Sequence, residues 1–134
     1  MEILFKAHSG LRWLVLLVAV ISIVAFLLTW LRQSRDSPTD RKLMAAFTGI
    51  LDLQTLLGII LLLWSGLGAG TGFPRYRLEH AFTMLLAVIL AHLSAKWKNA
   101  SAALRARNYL FIVLGCLLLV YLGVQRLPQG WHAG

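Results

Sequence analysis

Apolar residues fall in four long blocks along this chain, parted by short polar breaks. Trp13 to Leu31 is nineteen residues without a charged side chain. The third block, Leu78 to Lys98, is shorter and carries a histidine near each end, His80 and His92. A bilayer core takes about 20 apolar residues of helix, so each block is read as a spanning helix. The blocks predict spans at about 11–31, 43–67, 79–97 and 108–125. The expected fold is all-α, a single integral membrane domain over 1–134, built as an up-down-up-down four-helix bundle. Ser37-Pro38-Thr39-Asp40 supplies a turn and an N-cap for the second helix, and the glycine-rich GLGAGTGFP closes it. The segment ahead of residue 11 is expected to be amphipathic, and the tail QRLPQGWHAG irregular, with no role for His132.

Composition agrees with this pattern. Of 134 residues, 59% are hydrophobic and 13% charged, and the mean hydropathy is +0.75, which excludes an ordinary soluble domain. The net charge of +8 would suggest nucleic acid in a soluble protein. Here the basic residues flank apolar blocks, so they are assigned to membrane orientation and anionic lipid, with no nucleic-acid partner. Eight of the thirteen Lys and Arg residues lie in Arg32–Lys42 and Lys96–Arg107. The positive-inside rule places those two loops in the cytoplasm and both termini outside. The sequon Asn99-Ala100-Ser101 is discarded on that ground. Tryptophans 13, 30, 64, 97 and 131 stand at predicted span ends and read as belt residues. Glu2 and the lack of a small-residue cleavage site argue against a cleaved signal peptide. The single cysteine, Cys116, makes no internal disulfide, and no CxxCH is present for covalent haem. No phosphate loop, nucleophile elbow or HExxH appears, so no catalytic residues are assigned and no catalytic activity of its own is expected.

Ionisable side chains at membrane depth are expected to be functional. Antiparallel helices put the starts of the first and third spans on one face of the membrane, which brings His8 and His80 to the same side. Helices one and three are diagonal in such a bundle, where cofactors are held between facing side chains. Two imidazoles reaching for one axis are a candidate ligand pair for the iron of haem b. Arg12, one turn after His8, and Arg75 and Arg77, just before His80, are placed to meet carboxylates such as haem propionates. Gly10 and the glycines from Gly66 to Gly72 are expected to let a flat ring approach the backbone. Met84, one turn after His80, is a further contact or a packing residue. The structural alternative is that both histidines are interfacial and Arg12 only anchors its helix, with Glu79 paired to Arg12 or Arg75.

A second polar group lies deeper. Asp52 is ~13 Å into the second helix by the rise per residue, and His92 comes within reach from the third. Thr48, Asp52 and Thr55 share a stripe on that helix, whereas Gln54 points nearly the other way, with Gly58 on its face. A hydrogen-bonded Asp52–His92 pair would satisfy the carboxylate. It reads as interhelical glue before a proton relay, because no third ionisable group continues a path.

Three stretches, HSGLRWLVLL from His8, LDLQTLLGIILLL from Leu51 and EHAFTMLLAVILAH from Glu79, resemble a family of small four-helix bacterial membrane proteins often labelled cytochrome b-like. The resemblance covers spans one to three and implies a haem role for His8 and His80. That family often carries a histidine where this chain has Asp52, which counts against a second, inner haem on His92. The expected function is a small subunit of a respiratory or photosynthetic electron-transfer complex in the bacterial inner membrane. It would exchange electrons with a quinone or a partner's redox centre. The runner-up is a cofactor-free accessory subunit packed against larger membrane partners and lipid. A proton-coupled transporter using Asp52 is third, since no inverted repeat or broken helix is evident.

Overall fold

The computed structural model describes residues 1–132 and holds four helices. They are α1 (Glu2–Leu31), α2 (Pro38–Leu63), α3 (Arg75–His92) and α4 (Ala102–Gln125). A π-helical turn, Trp64–Gly68, prolongs α2; 3-10 turns follow α3 at Leu93–Trp97 and α4 at Gly130–His132. No strand occurs among the described residues. All four helices are long and apolar enough to cross a membrane.

Local chemistry sets the ends. Pro38 opens α2, where its missing N–H leaves no helical bond unmade, and Pro74 precedes α3 in extended conformation. Positive φ at Gly70 and Gly72 lets the α2–α3 connection turn back. Helix begins earlier than expected at four places, α2 among them, which starts at Pro38. α1 is continuous from Glu2, so the N-terminal segment is its first two turns, tied by a Glu2–Lys6 ion pair at 2.6 Å. α3 starts at Arg75, and α4 starts at Ala102, taking half of the second basic loop. Charged residues tolerate helix well, and their polarity hides it from a reading based on apolar blocks.

α1 packs on α2 and α4, α3 packs on α4 and more sparsely on α2, and α1 and α3 are diagonal. Neighbours run antiparallel: His80 near the start of α3 meets Gly123 near the end of α4. The buried positions of α1 include Arg12, Val15, Ala19, Ser22, Phe26 and Thr29. Their alternating spacing of three and four is a knobs-into-holes seam. Facing them are Met44, Phe47 and Leu51 of α2 and Tyr109, Val113, Cys116 and Val120 of α4. Small residues fill much of the seam, including Ala19, Ala87, Ala91 and Ala106, all fully buried, and let helix backbones approach. The outer faces are mostly leucine, isoleucine and valine.

Polar residues stitch the end of the bundle that carries the basic loops. Arg105 is 2% exposed. It donates to the carbonyls of Ala100 at 3.0 Å and Ser37 at 3.3 Å, joining the two loops. Arg41 donates to the Lys98 carbonyl at 2.8 Å, and Asp40 is buried at the same end. At the other end the tail, as far as His132, packs back on the bundle. Trp131 stacks on Tyr121 with ring centres 6.2 Å apart and lies 6.4 Å from Trp13. Trp30, Trp97 and Trp131 all pack on the core, so only Trp13 and Trp64 keep the exposed character of belt residues. His132 is exposed and makes no site.

Candidate functional site

His8 stands on the second turn of α1 and His80 on the second turn of α3, at the same end of the bundle. Their ring centres are 6.4 Å apart with planes at 90°. Each ring is anchored through Nδ1 to a main-chain carbonyl: His8 to Gln54 at 3.1 Å and His80 to Gly123 at 2.9 Å. A carbonyl only accepts, so both Nδ1 atoms carry the proton and both neutral rings keep the Nε2 lone pair. The Gly123 carbonyl lies in the last turn of α4, where it also accepts from the Arg126 N–H at 3.3 Å.

The second helix is shaped around His8. Gln54 Nε2 donates to the His8 carbonyl at 2.7 Å while the Gln54 carbonyl accepts from the ring. Gly58, one turn on, has no room for a side chain: a Cβ there would come 2.8 Å from His8 Cε1. Gly123 is similarly confined, because a Cβ would meet the Met84 Cε.

Beside the two rings lies a cavity of about 600 Å³ walled by α1, α2, α3 and the end of α4. His8, Arg12, Gln54, Ser65, Arg77 and His80 contribute to its polar lining, and Met84, Leu51 and Val120 are among the apolar residues. That volume lies within the usual range for a small-molecule or cofactor site. Arg77 is held at the rim by donating to Ser65 Oγ at 3.0 Å and Thr71 Oγ1 at 3.1 Å. Arg12 is buried, with its guanidinium 5.1 Å from the Trp13 ring and 5.3 Å from Trp131.

Other expected members of the site sit elsewhere. Arg75 is exposed and paired with Glu79 at 2.8 Å, away from the cavity. Gly10 faces outward and Gly66 is filled by Phe73, and neither borders the cavity. Gly58 and Gly123 are the close-approach glycines. In the sequence Gly58 stands out only as the i+4 neighbour of Gln54, and Gln54 itself carries no signal beyond a polar residue on an apolar helix.

His92 Nε2 donates to both oxygens of Asp52 at 2.9 Å, joining α3 to α2. The pair lies on the outside of the bundle. The polar stripe divides around it: Thr55 turns inward to line the cavity, and Asp52 turns outward.

His8 and His80, each tied through Nδ1 to a main-chain carbonyl, are the residues that would hold the iron of haem b. Nδ1–carbonyl bonds of this kind orient metal-binding histidines and raise their basicity. Two arginines stand where a cofactor's carboxylates would be met. Among the described residues no cluster of three or more His, Cys, Asp or Glu forms a site for a bare metal ion. Comparison with known protein families, characterised proteins and solved structures finds no match for this chain.

Proposed function

We propose that this chain is a small integral membrane subunit of an electron-transfer complex, holding one haem b through His8 and His80. The observation that carries the reading is the pair of imidazoles beside the cavity. Each is fixed by its Nδ1 bond and presents Nε2, with ring centres 6.4 Å apart. When bound, haem b supplies a reversible one-electron carrier. The chain's own residues do the rest. Gln54 and the Gly123 carbonyl fix ring orientation, and Gly58 admits the His8 ring. Arg12 and Arg77 neutralise carboxylates, and the apolar walls exclude water. By charge counting the basic loops face the cytoplasm of a bacterial inner membrane and the histidine end faces outward. The electron donor or acceptor is a quinone or a redox centre of a partner subunit.

A redox difference spectrum of the purified chain, with a pyridine haemochrome assay, tests this. The expected result is b-type bands at about one haem per chain, absent in His80→Ala. A colourless, fully folded protein would sink the cofactor reading. In that event the same Nδ1 bonds serve only to join helices, and the chain is an accessory subunit identified by what copurifies with it.

A further inference from the structure

Among the described residues, Asp52–His92 is the one ion pair on the apolar length of the bundle, and it is turned outward. The side chains are 41% and 57% exposed for Asp52 and His92. Nε2 of His92 binds Asp52, which leaves the exposed Nδ1 available to a second partner. Asp52 lies ten residues, ~15 Å of helix, beyond Lys42, and His92 ends α3 four residues before Lys96, so in a bilayer the pair sits in the hydrocarbon on the side of the basic loops. There is no water there to complete its hydrogen bonds, and a lipid-facing polar group is costly. Something protic must cover it. The cavity beside the two histidines does not reach the pair.

The surface around the pair is shaped for a helix. Ala45, Gly49, Asp52 and Leu56 follow i, i+4, i+7, i+11 on α2 and form one outward stripe. A Cβ at Gly49 would meet nothing within 4 Å. A mid-helix glycine with open space beside it has no reason within this chain, and small residues four apart are what let two membrane helices touch.

We infer that this face, α2 with the adjoining edge of α3, is a twofold interface between two copies of the chain. The occupant follows from the chemistry of the patch. It exposes a carboxylate and an imidazole nitrogen in one spot, so it is its own complement under a twofold axis. With the α2 helices crossing at Gly49, Nδ1 of His92 meets Asp52 of the second copy, and the reverse. Two acids and two bases then close a ring of charge-assisted hydrogen bonds shielded from lipid. An unrelated helix would have to bring its own donor and acceptor at the same depth. The inference rests on the chain spanning a bilayer but not on the haem reading.

Disulfide trapping in lipid nanodiscs tests it. The only cysteine, Cys116, is buried and does not compete. Mild oxidation of Gly49→Cys should yield mainly a covalent dimer of twice the 14.9 kDa chain. Gly10→Cys, an equally open glycine on α1, should stay monomeric. In parallel, native mass spectrometry of Gly49→Ile, with folding checked by circular dichroism, should show the dimer fraction reduced about tenfold, and Asp52→Asn should weaken it as well. A monomer at every protein-to-lipid ratio overturns the interface. So does a dimer indifferent to both substitutions, or trapping of Gly49→Cys to a different membrane protein. Extraction of the chain from membranes by alkaline carbonate would instead remove the bilayer reading, and the interface with it.

Discussion

Gln54 and His8 grip each other by two reciprocal hydrogen bonds, side chain to main chain in both directions, at 2.7 and 3.1 Å. The pairing locks α1 to α2 beside the cavity and sets the His8 ring with Nδ1 bound and Nε2 available. Interhelical hydrogen bonds in membrane proteins are individually modest, about 0.6 kcal/mol on average. Gln54→Leu removes the bond to the His8 carbonyl but keeps the main-chain carbonyl that holds the ring. The expected loss is about 1 kcal/mol, read as a lowered Tm in detergent, with both rings still in place.

Gly58 and Gly123 should answer differently to the same change. A methyl at Gly58 drives into the His8 ring, which is anchored at both its main chain and Nδ1. Gly58→Ala is therefore expected to cost about 1–3 kcal/mol through overpacking and to displace His8. A methyl at Gly123 meets the Cε of Met84, the far end of a flexible side chain that can swing away, but also sits 3.3 Å from the Cβ of Thr83, which must give slightly. Gly123→Ala should cost less than Gly58→Ala. Thermal melts of the two variants, side by side, make the comparison; equal losses would mean that His8 yields as easily as Met84.

The docked tail makes a third test. Arg12 lies against both Trp13 and Trp131, and Trp131 is itself stacked on Tyr121. Trp131→Ala is expected to lower stability by about 1–2 kcal/mol, the usual range for a desolvated cation–π contact plus buried ring. A double-mutant cycle with Arg12→Leu should give a coupling energy clearly different from zero. Additive losses would show that the tail and Arg12 are stabilised separately.

At the other end, Arg105→Leu leaves the Ala100 carbonyl without its side-chain donor and the Ser37 carbonyl with only the Asp40 N–H, and removes a buried cation from the end that holds buried Asp40. Hydrogen bonds from charged groups are worth about 1.5–3 kcal/mol each, so the expected loss is about 3 kcal/mol or more. Lys98→Ala, an exposed neighbour, should stay within about 0.5 kcal/mol. Urea or thermal unfolding of both variants checks the contrast.

Four apolar blocks with polar breaks are enough to predict four helices, because a helix that faces lipid on one side and other helices on the next is apolar all round. The same uniformity hides which face is interior. Ala19 and Val20 are alike in the sequence, yet Ala19 is fully buried and Val20 exposed. Charged helix ends escape for the opposite reason: Glu2–Gly10 and Ala102–Arg107 are helical without being apolar enough to stand out.

Residue type and order by themselves determined the helical class, the antiparallel connections, the shared end of His8 and His80, and the reach between Asp52 and His92. Those features depend on hydrophobic block length and on counting turns, which are local. Tertiary structure alone decided that Gln54, Gly58 and Gly123 shape the histidine pair and that Arg105 is buried. It also decided that Asp52–His92 faces outward. Each of these depends on helix rotation about its own axis, and that rotation is chosen by small-residue contacts between helices whose surfaces carry almost no polar mark to reveal it.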